Sequence, residues 1–97
     1  MIPPESCSTM AQVRAGVDDI DRKLAALLAV RFAYMDAAAR IKPVRDAVRD
    51  EARKAQVIAN ARANAVREGY PAELAARLWD GLVEISIAYE LQAFDAR

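Results

Sequence analysis

The stretch from Val13 to Ile41, VRAGVDDIDRKLAALLAVRFAYMDAAARI, decides the fold. Val13, Val17, Ile20, Leu24, Leu27, Arg31, Tyr34, Ala38 and Ile41 follow alternating steps of four and three. That heptad spacing keeps one stripe of a helix facing a partner. Before the stretch, Ser8 or Thr9 can cap the free backbone N–H groups of a helix start. After it, Pro43 disfavours helical geometry in Lys42. The spacing therefore predicts a helix from Ser8 or Thr9 to about Ile41, roughly 32 residues and 48 Å long at 1.5 Å per residue.

Outward from this helix the same rules place two more. A second begins around Arg49 to Glu51, where acidic residues suit a helix N-terminus, and runs to Glu68 before Gly69 ends it. Its apolar residues are mostly alanine, with Val57, Ile58 and Val66. A third starts after Pro71 and carries Leu74, Leu78, Leu82, Ile85 and Tyr89 toward a core. Three glycines and four prolines punctuate the whole chain and alanine is abundant, so helices are favoured over strands throughout. The expected fold class is all-α, with three helices per chain.

Ninety-seven residues bound the answer to one domain, 1–97, with 1–8 as a flexible N-terminal segment. Fourteen Lys and Arg balance fourteen Asp and Glu, and 55% of residues are hydrophobic, which describes a globular chain and not a disordered one. Without a basic surplus, nucleic acid is a poor partner. The absence of histidine removes Ser-His-Asp and Cys-His catalysis and most zinc or haem ligation, so neither metal nor cofactor is expected. The single cysteine, Cys7, excludes an intramolecular disulfide and reads as incidental. No signal peptide or membrane span is evident, which makes the cytoplasm the default location.

A helix of about 48 Å is awkward in so small a monomer, because the shorter helices, roughly 27 and 36 Å, leave part of its seam uncovered. A second copy supplies the missing area. The expected assembly is a homodimer whose long helices lie beside or across each other.

Several charged residues interrupt the apolar faces. Arg31 occupies the seam itself, where an unpaired charge needs a carboxylate, such as Asp36 or Glu51, or an anionic ligand. Lys42 follows eleven positions later and points nearly the same way, about 20° around the axis. Together they form a cationic strip, unless Lys42 is only a solvated helix-end lysine. Arg14 lies about 26 Å from Arg31 along the helix, so the two can serve one small ligand only if Arg14 reaches it from the other chain. Its plainer role is a surface pair with Asp18. Asp50 and Arg53 share a face at the start of the second helix, as a local ion pair or the polar rim of a pocket. In the third helix Trp79, Val83, Ser86 and Glu90 follow steps of four, three and four, setting Ser86 and Glu90 in an apolar line. Desolvation there favours a neutral carboxyl unless a cation compensates. Gly81 costs about 1 kcal/mol relative to alanine, which fits a close helix approach.

Taken together, Val13-Arg14, Ile20-Asp21, Leu27-Leu28-Ala29-Val30-Arg31, Ile41-Lys42 and Arg49-Asp50-Glu51-Ala52-Arg53 resemble the all-helical chorismate mutases of the AroQ class. The resemblance extends from about residue 10 to residue 92. Pro4-Glu5-Ser6-Cys7 and the register from Arg14 to Lys42 are also similar to the isochorismate pyruvate lyases, a branch of the same fold.

The resemblance implies an intertwined homodimer with two sites for a small dicarboxylate, each taking one arginine from the other chain. Arg14 matches that trans arginine. By the same likeness Arg31 and Arg14 bind the two carboxylates, and Lys42 contacts a carboxylate and the ether oxygen whose bond breaks. Asp50 and Arg53 hold the ring hydroxyl region, and Ser86 assists at the ring end. Glu90 stands where the family commonly has glutamine, a donor to the ether oxygen, and a carboxyl can donate only when protonated. Lys54 replaces a glutamate found in several mutases. Conversion of chorismate to prephenate is the leading expectation and isochorismate pyruvate lyase the alternative. A noncatalytic helical dimer, its cationic strip paired internally, is a third.

Overall fold

The structure is a computed structural model that describes residues 2–97. Three helices account for most of them: α1 (Met10–Ile41), α2 (Glu51–Glu68) and α3 (Ala72–Asp95), with single 3-10 turns at Pro4–Ser6 and Arg45–Ala47. Among the described residues there is no strand, so the all-α expectation holds. The chain divides into two compact units, Met1–Ala33 and Tyr34–Arg97.

In the first unit the start of α1 is locked by a reciprocal cap. The Thr9 hydroxyl accepts from the Gln12 N–H at 3.2 Å, while the Gln12 side-chain oxygen accepts from the N–H groups of Ser8 and Thr9 at 2.7 and 3.2 Å. These contacts satisfy donors that a helix start leaves free. Asp19 pairs with Arg22 and Lys23 on the polar face. The opposite face presents Val13, Val17, Ile20, Leu24 and Leu27 exposed, Leu27 at 67%.

The second unit is built on the α2–α3 pair. The Asp50 side chain accepts from the Arg53 N–H at 3.0 Å to begin α2. Gly69, at φ 89°, ends it with its N–H on the Ala65 carbonyl. That left-handed turn suits glycine, which has no Cβ to clash. The connection turns α3 back along α2, with Arg62 meeting Glu73 near the turn and Lys54 meeting Asp80 and Glu84 far from it. Between the two helices lies a core of Ala61, Ala65 and Ala75, with Trp79 packed against it. Small side chains let the backbones approach closely.

Two expectations are corrected here. The face α3 turns inward is not the leucine stripe: Leu74, Leu78, Ile85 and Tyr89 are exposed, whereas Ala75, Ala76, Val83, Ser86 and Glu90 are buried. Alanines on α2 complement small residues on α3, and the larger side chains are left outside. Gly81 marks no close approach within the chain, since a Cβ built there meets nothing within 4 Å.

Candidate functional site

Lys42 follows the last residue of α1, its N–H bonded to the Ala38 carbonyl at 2.9 Å. Its side chain is not a solvated helix-end lysine. The ammonium donates to Glu90 Oε2 at 2.7 Å and to the Val48 carbonyl at 3.3 Å. Val48 is buried and follows the 3-10 turn at Arg45–Ala47, so the short connection is folded to bring a carbonyl to this charge.

Glu90 is 4% exposed on the inward face of α3, one turn beyond buried Ser86. The stripe Trp79, Val83, Ser86, Glu90 therefore does carry polar groups into an apolar line, and Lys42 is the cation that compensates the carboxyl. Losing either partner would strand a charge in a poorly hydrated place, which is costly. Ser86 donates its hydroxyl to the Leu82 carbonyl one turn back, at 2.7 Å.

Asp50 and Arg53 meet, but as a helix cap and not as an ion pair. The Arg53 guanidinium instead reaches Gln56 Oε1 at 2.7 Å, and both residues are exposed. Of the carboxylates expected near Arg31, Asp36 accepts from the Tyr89 hydroxyl at 3.1 Å and Glu51 pairs with Arg49 at 2.9 Å. Arg31 itself is half-buried and Arg14 exposed, both on the α1 stretch of the first unit.

Two charge clusters were not foreseen. Glu84 takes both guanidinium nitrogens of Arg49, at 2.7 and 3.2 Å, and the Lys54 ammonium at 2.7 Å; Asp80 also reaches Lys54 at 3.0 Å. Arg49 precedes the cap of α2 and Lys54 lies one turn inside it, so Glu84 grips the turn that bears Asp50 and Arg53. The Arg49 guanidinium and the Lys54 ammonium hold the Glu84 carboxyl down to about 2. At the far end of α3, Arg45 bonds Asp95 through two nitrogens, and the Arg97 guanidinium donates to backbone carbonyls at the end of α1. These partners are 26 to 58 residues apart, beyond any local spacing rule.

The second unit thus offers an ammonium held on a buried carboxyl, with a capped helix start alongside in sequence, and the first unit adds two arginines on one helix. A family model described as chorismate mutase type II matches residues 13–91. The chain belongs to the chorismate mutase type II family. The match starts on the first seam residue and ends one residue past Glu90, so all seven candidate residues lie within it. Membership in this family implies chorismate mutase-type chemistry, as the residue pattern anticipated, and agrees with the three-helix architecture. No curated protein matches the chain. Among the described residues no helix is long and apolar enough to cross a membrane.

Proposed function

We propose that this protein is a chorismate mutase that converts chorismate to prephenate in a cationic pocket shared by two copies of the chain. The observation that carries the reading is the Lys42–Glu90 pair, set in a chain whose family match spans both residues. The rearrangement is intramolecular: the ether C–O bond breaks as a C–C bond forms within the same molecule. It requires no nucleophile. Rate comes from holding the enolpyruvyl arm over the ring and from stabilising negative charge that develops on the ether oxygen.

In this reading Arg31 and a partner copy's Arg14 clamp the two carboxylates, a task for which the guanidinium fork is shaped. Lys42 places a compact positive charge at the ether oxygen. Asp50 and Arg53 serve the ring hydroxyl region and Ser86 the ring end. The exposed α1 seam supports the homodimer, since Val17, Leu24, Leu27 and Tyr34 form an apolar stripe of the kind a second helix covers.

Glu90 stands where the family commonly has glutamine, and in this scheme it orients the Lys42 ammonium toward the ether oxygen through their contact at 2.7 Å. Glu90→Gln keeps an acceptor for the ammonium but removes the opposing charge, so kcat should change while the fold is kept. A kcat for chorismate identical in the unaltered protein and in Glu90→Gln would refute this role.

Incubation with chorismate and with isochorismate, in separate reactions, tests the function. Prephenate from the first is expected. Salicylate and pyruvate from the second, without prephenate from the first, would assign the lyase reaction, and turnover of neither would leave a noncatalytic dimer.

A further inference from the structure

The ammonium of Lys42 is fixed by Glu90 and Val48, but a side chain is placed only as well as the backbone that carries it. That backbone sits where α1 ends, at carbonyls a helix leaves without intrahelical partners. Arg97 fills the gap. One nitrogen of its guanidinium donates to the carbonyl of Lys42 itself at 2.7 Å and to that of Ala39 at 3.1 Å; the other reaches the Pro43 carbonyl at 3.4 Å. A cation here also meets the negative end of the helix dipole. The guanidinium is steadied from below by the Phe94 ring, 3.7 Å from its central carbon to the ring centroid.

We propose that Arg97 is a positioning residue for the Lys42 ammonium, clamping the backbone of the residue whose side chain Glu90 holds. Both grips come from α3 and the two residues that follow it, so one element sets both ends of Lys42. This inference rests on the mutase reading given above. Nearby, the Arg45–Asp95 pair ties the same two segments together but touches no carbonyl of Lys42, which makes it the natural control.

If Arg97 acts through Lys42, Arg97→Ala should lower kcat for chorismate by ~10-fold while KM changes less, because the misplaced charge matters most as the ether bond breaks. Arg97→Lys should recover part of the loss, since an ammonium can hold one carbonyl but cannot fork. The NMR signal of the Lys42 ε-carbon should move in Arg97→Ala. Arg45→Ala, which removes an exposed ion pair, should move the melting temperature only slightly and leave both kcat and that signal in place.

The inference is overturned if Arg97→Ala keeps the kcat and the Lys42 signal of the unaltered protein, or if Arg45→Ala reproduces its loss of kcat. A protein that turns over no chorismate before any substitution overturns the mutase reading first, and the inference with it. Normal turnover in the Arg97 variants removes the inference alone.

Discussion

The two units of the chain solve the same problem in opposite ways. From Tyr34 to Arg97 the small and the charged side chains find partners within the unit, even though Leu74, Leu78 and Ile85 stay exposed: alanines meet across α2 and α3, Lys42 meets Glu90, and Glu84 holds Arg49 and Lys54. In the stretch up to Ala33, α1 has a well-made cap and a local acid–base face, yet its seam of Val17, Ile20, Leu24 and Leu27 remains exposed. Removing a residue from the first kind of region leaves something stranded inside the chain. Removing one from the second changes little until a second copy is considered.

Lys42→Ala tests the self-satisfied region and carries the largest expected effect. Loss of a preorganised charge at a developing oxyanion should lower kcat by about 10²–10³-fold. The same change strands the Glu90 carboxyl, which should destabilise the fold by roughly 1–3 kcal/mol, below the range for fully buried pairs because Lys42 keeps contact with water. Adding Glu90→Gln should restore the melting temperature without restoring turnover. If Lys42→Ala costs no stability, the pair does not hold the unit together.

Leu27→Glu tests the other region. The side chain is 67% exposed in the single chain, so a charge there should leave the secondary structure intact. In the proposed dimer it would face apolar neighbours, and burial of a leucine contributes about 1.5–3 kcal/mol per chain. Sedimentation should show dimers for the unaltered protein and a shift toward monomer for the variant. Ala65→Leu provides the contrast: Ala65 is fully buried between α2 and α3, and overpacking there should cost about 1–3 kcal/mol whatever the assembly state. A Leu27→Glu protein that stays dimeric would remove the seam from the interface.

The division between legible and illegible features follows from range. The cap at Thr9 and the stop at Gly69 depend on residues within one turn, and the sequence marks both; Asp50 is equally local, but its spacing to Arg53 suggests an ion pair where the structure has a cap. Lys42 and Glu90 were each conspicuous as charges on apolar faces, but their pairing spans 48 positions and depends on how α3 is rotated. That rotation is where sequence reading fails. Helix α3 carries two apolar stripes, one of leucines and one of small residues around Trp79, and hydrophobicity favours the leucines. The alanine face of α2 selects the small stripe, which is also what buries Ser86 and Glu90. Arg97 left no trace in any periodic pattern, because its partners are backbone carbonyls and carbonyls carry no sequence signal.

The smallest effect belongs to Glu84, whose grip on the start of α2 is at the surface and screened by water. Its carboxyl is held at about 2 in the folded chain by Arg49 and then Lys54, against an ordinary value of 4.5. A group with a depressed folded value binds fewer protons folded than unfolded between those limits, so stability falls as the medium is acidified. The contribution is whole above about pH 4.5 and disappears as pH falls through about 2. Melting temperatures measured at intervals across that window should decline more steeply for the unaltered protein than for Glu84→Gln, which cannot titrate. The two should differ most at neutral pH and converge in acid. Parallel curves would mean that Arg49 and Lys54 hold the turn no better through Glu84 than through Glu51 and Asp80, their other partners in the same cluster.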